Sequence, residues 1–159
     1  MTSHLPNNRS AFAFLRLGKT RLLLPRADVR ILELTLDVDT QQTPPPHGVG
    51  WISIPGHAPC PVFCCSDTLE WSPTTRHDLP VCAVLTLGQA HHDGRGQDFA
   101  ILCSEMVMAD HNRLLFSPVP PAMHTASQPF DQLATDGTEV FCVTSAQRLW
   151  LDLMPKESP

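Results

Sequence analysis

The 159-residue chain carries 11 Lys and Arg against 16 Asp and Glu, a net charge of −5, and is 42% apolar. That length suits one domain or two small, closely joined subdomains, with enough core to need neither metal nor disulfide. Scattered arginines, a negative balance and no Tyr exclude a nucleic-acid surface, which requires a basic stripe and stacking rings.

No apolar run approaches the roughly 18 residues of a membrane span, so no membrane insertion is expected. The opening MTSHLPNNRSAF lacks the basic-then-apolar layout of a signal peptide. A cytoplasmic protein follows, and its six cysteines are expected as reduced thiols. The 16 prolines favour short strands and fixed turns over long helices.

In chain order, residues 1–10 are polar and expected to fray, as are 154–159. Residues 11–18 alternate around Phe12, Phe14 and Arg16 against Ala13, Leu15 and Leu17, which predicts a strand entering a hairpin at Gly18-Lys19. Arg21 to Pro25 returns as a strand, and Arg26 to Leu32 reads as a helical turn after the proline. Leu34, Leu36 and Val38 suit an edge strand, and Thr40 to His47, with three consecutive prolines, a polyproline-like connector.

Two apolar strands, Val49 to Ile54 and Pro61 to Cys65, flank Pro55-Gly56, a pair suited to the centre of a type II turn. Asp67 with Glu70 three residues on predicts a capping box and a short helix. Strands follow at 79–87 and 99–103, around the long hairpin 89–97 that holds His91 to Gly96. Glu105 to Met108 reads as a turn, and strands are expected at 113–116, 130–133 and 139–143. Asp136-Gly137 centres the last hairpin. Thr144 and Gln147 predict a second capping box, opening a helix whose Ala146, Leu149, Trp150 and Leu153 share one face.

The chain also repeats itself. Phe14 to Gly18 matches Val84 to Gly88 at an offset of 70, while Leu23-Leu24 and Val29 match Ile101-Leu102 and Val107 at 78. Val62-Phe63-Cys64 matches Val140-Phe141-Cys142, again at 78. The longer second hairpin absorbs the difference, as loops do. Two similar β units curled toward small barrels follow, with the C-terminal helix over an open end.

Cys60, Cys64 and Cys65 raise metal or thiol chemistry, so a small Cys-rich metal-binding or redox protein stands as the alternative reading. The pattern weighs against it. A strand sends Cys65 to the face opposite Cys60 and Cys64, no C-x₂-C pair is present, and cysteines inside apolar strands behave as core residues. His91, His92 and Asp93 have no further ligand fixed near them. Gly94-Arg95-Gly96 lacks the Lys-Ser/Thr ending of a phosphate loop. No paired carboxylates or nucleophile–base arrangement stands out, so the reading is of a non-enzyme without metal or cofactor.

Residues 12–153 resemble the CheW-like domain of bacterial chemotaxis. The landmarks are Leu17-Gly18, Leu22-Leu23-Leu24-Pro25 leading to Val29, and Gly50 to Gly56 with Pro61-Val62. Further along come Leu87-Gly88, Ile101-Leu102 with Glu105 and Val107, Ser117 to Pro120, and Gly137 with Val140-Phe141-Cys142. The resemblance implies an all-β fold, two similar five-stranded SH3-like barrels with short helices including a C-terminal one. It places both in a single domain over 11–153, made of two interleaved units.

The resemblance also implies a non-enzymatic adaptor that binds a chemoreceptor's cytoplasmic tip and a histidine kinase's regulatory domain. Carried over by position, Val29, Ile31, Ile54, Pro55 and Gly56 are the implied partner-binding residues. The family usually reads Asn-Leu-Arg-Gly where this chain has Ser53-Ile54-Pro55-Gly56, so its arginine is replaced by Pro55. An acidic residue is common where Ile31 stands, and an Asp where Cys64 stands. Such departures imply a diverged member serving a pilus-linked or other auxiliary chemosensory system.

Overall fold

The computed structural model describes residues 12–76, 78–87, 98–109, 111–123 and 128–153. Both expected tails and the 89–97 hairpin lie outside the described residues. Twelve strands and one α-helix are defined among them. The first hairpin joins β1 (Phe12–Leu17) to β2 (Thr20–Pro25), with Leu17 opposite Thr20 across the two-residue turn. After a 3-10 turn at Arg26–Asp28 comes β3 (Val29–Leu34). Then follow β4 (Gly50–Ile52), β5 (Cys60–Cys65) and β6 (Trp71–Ser72). The second half holds β7 (Val81–Thr86), β8 (Asp98–Cys103), β9 (Glu105–Ala109), β10 (Leu115–Pro118), β11 (Gln132–Thr135) and β12 (Val140–Val143). Helix α1 spans Ala146–Leu153.

These strands form two sheets that exchange hairpins. The first runs β10-β11-β12-β2-β1-β9, and the second runs β3-β7-β8-β5-β4 with β6 added beside β5. Hairpin β1–β2 therefore sits among C-terminal strands, while β7–β8 sits among N-terminal ones. Each insertion uses one parallel pairing, Leu22 with Cys142 and Ala100 with Val62, and one antiparallel pairing, β1 with β9 and β7 with β3. The repeat read in the sequence is thus a repeat of pairings. Leu22 and Ala100 are 78 apart, but their partners Val62 and Cys142 are 80 apart, and a two-residue shift leaves each side chain on its original face. The all-β class holds, although each sheet has six strands where five were expected.

Alternation along the exchanged strands divides the core. Leu22 and Leu24 of β2, Ala83 and Leu85 of β7, and Phe99, Ile101 and Cys103 of β8 face a core shared by both sheets. Leu23 faces inward to the first sheet with Leu114, Ala134 and Phe141. Cys82, Val84, Ala100 and Leu102 face the second sheet's own core with Val62 and Ile52. Helix α1 closes the shared core with Ala146, Leu149 and Leu153, and Trp150 packs at 5.2 Å from the ring of Phe99 and 6.3 Å from that of Phe63. Two bonds fix its position: the Ala146 amide donates to Asp28 Oδ2 at 2.9 Å, and Trp71 Nε1 donates to Asp152 Oδ2 at 2.8 Å.

Several local expectations are corrected. Residues 29–34 form β3 rather than extending a helical turn, because pairing with β7 satisfies their backbone. Leu36 lies in a 3-10 turn (Thr35–Asp37), not in an edge strand, and 105–109 is a strand, not a turn. No helix starts at Asp67. Ser66 instead closes a tight turn, its Oγ accepting from the amides of Thr68 and Glu70, with Leu69 at φ +62°. Freed from capping, Asp67 Oδ1 accepts from the Lys19 amide and from Arg76, both at 3.2 Å, and ties this turn to the first hairpin. Gly18 has φ +71° and lies against Asp67 Oδ1 so closely that a Cβ would collide with it. The second cap is also displaced by one residue: Ser145 Oγ accepts from the Arg148 amide, while the Thr144 hydroxyl donates to the carbonyl of Pro129.

Phe99 is 0% exposed and touches both Phe63 and Trp150. Phe99→Ala should cost about 3–5 kcal/mol in urea denaturation, whereas Leu115→Ala, on an exposed edge strand, should change stability by less than about 0.5 kcal/mol.

Candidate functional site

The five residues implied as partner contacts are distributed between core and surface. Val29 is 4% exposed and belongs to the shared core, so it supports the surface from beneath rather than forming it. Ile31 is half-buried against the second sheet's core, and Ile54 is buried in that core. Pro55 and Gly56 are exposed. The turn has the geometry expected of it: the His57 amide donates to the Ile54 carbonyl at 3.0 Å, with Gly56 at φ +80°. Nothing lies within 4 Å of a Cβ built on Gly56, so glycine is set there by backbone angle and not by crowding.

A residue between the two implied contacts on β3 joins that strand to this turn. Arg30 donates through Nη1 to Asp98 Oδ2 at 2.7 Å, and its Nη2 stands 3.4 Å from His57 Nε2, one residue beyond Gly56. The Asp98 side chain is only 10% exposed, and its Oδ1 has no hydrogen-bond partner among the described residues. Arg30 is thus the counter-charge of a nearly buried carboxylate and stands beside the turn through His57. Sequence reading missed the trio, since Arg30, His57 and Asp98 lie 27 and 68 positions apart in pairs. The available signal was a lone arginine within an apolar strand.

The cysteines do not form a site. Among the described residues no group of three His, Cys, Asp or Glu side chains could hold a metal ion. Cys60, Cys64 and Cys82 face the second sheet's core, and Cys65 and Cys103 face the shared core. Burial raises every described thiol above its ordinary 9.0; Cys60, Cys65 and Cys103 are pushed up to about 12. For Cys60 the carboxylate of Asp98 adds to that effect. A thiol so protonated is a poor nucleophile at neutral pH.

Two measurements follow. Arg30→Ala leaves Asp98 without its counter-charge; because Arg30 is itself 39% exposed and screened, the loss in urea denaturation should be about 1 kcal/mol. The thiols are raised in the folded state, so the stability they contribute is complete below about pH 9 and falls as pH rises toward 12. Melting temperature should drop between about pH 9 and about pH 11, and drop less in Cys65→Ala, which lacks that thiol.

No described protein family matches the chain, and no curated relative is recognisable from its sequence. In three dimensions the chain is similar to the scaffolding protein CheW of Thermoanaerobacter tengcongensis. The TM-score is 0.54 at 15% identity, over 83% of this chain and 86% of that one. Among the described residues no helix is long and apolar enough to cross a membrane. This chain has the CheW fold, in a sequence far diverged from that protein's.

Proposed function

We propose that the protein is a non-enzymatic scaffold of a bacterial chemosensory system, a cytoplasmic adaptor between chemoreceptor tips and a histidine kinase's regulatory domain. The observation that carries this reading is the CheW fold, matched over 83% of the chain. The buried, protonated cysteines supply neither a metal set nor a reactive thiolate, which favours scaffolding over the Cys-rich metal or redox alternative. The contact surface is the Ile54-Pro55-Gly56 turn with Ile31 behind it and Val29 as support.

Pro55 places no charge on that turn, so its contact is apolar and shaped by the turn, with polar recognition shifted to Arg30. A pilus-linked or other auxiliary array fits this divergence. Immobilised protein should bind both the cytoplasmic hairpin of the cognate receptor and the regulatory domain of the cognate kinase. Pro55→Asp should weaken at least one of these by about tenfold or more without lowering the melting temperature. Binding to neither partner would refute the scaffold reading, and binding to one alone would reduce it to a single-partner adaptor.

A further inference from the structure

Strand β3 ends the second sheet: β7 lies on one side, and among the described residues no strand lies on the other. Its pairing with β7 shows which backbone groups are left. Leu34 stands opposite Val81, and the next amide, Thr35, donates to the Pro80 carbonyl at 2.9 Å. Antiparallel ladders alternate between bonded and non-bonded pairs, so Glu33 and Ile31 bond toward β7. Leu32 and Leu34 therefore direct their N–H and C=O groups away from the sheet.

The same two residues present an apolar face. Leu32 is 41% exposed, Leu34 56% and Leu36, in the turn beyond, 92%. On β7, directly inward, Leu32 meets Ala83 and Leu34 meets Val81, both on the face covered by the shared core. The covered apolar face thus extends one strand farther than its cover. Edge strands are ordinarily protected by lysine, proline or an inward charge, and the core-side face of β3 carries two exposed leucines instead. Beyond its end a groove of about 490 Å³ opens between Leu34, Leu36, Val38, Leu79 and Pro80.

Charge selects what can approach. Residues 31–46 contain no Lys, Arg or His but hold Glu33, Asp37 and Asp39. Arg30, at the start of the strand, is already paired with Asp98, and Arg76 beside the groove is paired with Asp67 and Asp78. The edge is acidic and apolar.

We propose that the free edge of β3 accepts a further strand from a partner protein. That segment is extended, with apolar side chains at alternate positions over Leu32 and Leu34 and with lysine or arginine toward Glu33, Asp37 and Asp39. Backbone bonds to the Leu32 and Leu34 amides and carbonyls supply the register, and the leucines and acidic rim supply the selectivity. The free edge at Leu32 and Leu34 needs nothing from the Pro55-Gly56 turn, although both adjoin β3, so the inference stands whether or not receptor and kinase are the protein's partners.

The test uses the full chain, isotope-labelled, and a capped octapeptide of alternating valine and lysine. Expected are chemical-shift changes concentrated at 31–36, slowed hydrogen exchange of the Leu32 and Leu34 amides, and affinity that falls as salt rises. Leu34 has φ −89° and ψ 140°, close to what proline adopts, and its N–H serves no bond to β7, so Leu34→Pro should keep the fold. That variant should bind about tenfold more weakly or worse, and Leu32→Lys, which keeps the donor but loses the apolar face and repels the peptide, should do likewise. The proposal is overturned by undiminished binding to Leu34→Pro of unchanged melting temperature, or by absence of any shift at 31–36. Equal binding of the glutamate counterpart contradicts it too, as does tighter binding there of a helical leucine–lysine peptide. Concentration-dependent shifts at 31–36 without peptide would assign the edge to a second copy of the chain and equally overturn it.

Discussion

The exchange of hairpins is the constraint on which the rest depends. β2 can pair in parallel with β12, and β8 with β5, only if each half of the chain lends its hairpin to the other half's sheet. Once lent, the hairpins place Leu22 and Leu24, and Phe99 and Ile101, between the sheets, where neither sheet could bury them alone. The shared core is therefore a consequence of topology. Separating the two halves of the chain would break both parallel ladders and expose those side chains together, at about 1.5–3 kcal/mol for each large apolar one.

The interlock is reinforced at its two ends by polar contacts whose partners come from different parts of the chain. Helix α1 is held by Asp28, in the turn after β2, and by Trp71 of β6. The Ser66–Leu69 turn holds the first hairpin through Asp67, whose carboxyl lies below the usual range, first because it accepts the Lys19 amide and then because of Arg76. On the face of the first sheet that carries Phe14 and Leu23, Glu139 bridges Arg16 and Arg21, and Arg16 also meets Glu105, so charges link β9, β1 and β2 to the start of β12. A body tied in this way holds the Pro55-Gly56 turn and the β3 edge at fixed positions.

Much of this was legible in the residues because it is local. Gly18-Lys19 and Pro55-Gly56 each make the turn their chemistry dictates, and the α1 face buries Ala146, Leu149 and Leu153 as its spacing indicates. The last hairpin instead turns over 136–139 with Gly137-Thr138 at its centre, one residue later than expected, because Asp136 Oδ1 accepts from the Thr138 and Glu139 amides. The opposite facing of Cys65 to Cys60 and Cys64 followed from the period of a strand. What was not legible is non-local or ambiguous in period. Apolar residues at 29, 31, 32 and 34 fit a helical turn as well as a strand, and only the presence of β7 decides. Asp67 and Glu70 fit a capping box, but Ser66 competed for the same amides and formed a tighter turn. Arg30 gained significance only when folding brought Asp98 and His57 to it, and Val29 lost its place on the surface for the same reason.

The interlock makes the two sheets one mechanical unit. Native-state hydrogen exchange as a function of denaturant tests this most directly. The slowest amides of β2 and β12, in one sheet, and of β8 and β5, in the other, should converge on a single opening free energy equal to that of global unfolding. A lower, separate opening free energy for the core strands of either sheet would show that the lobes unfold independently and would contradict the interlock.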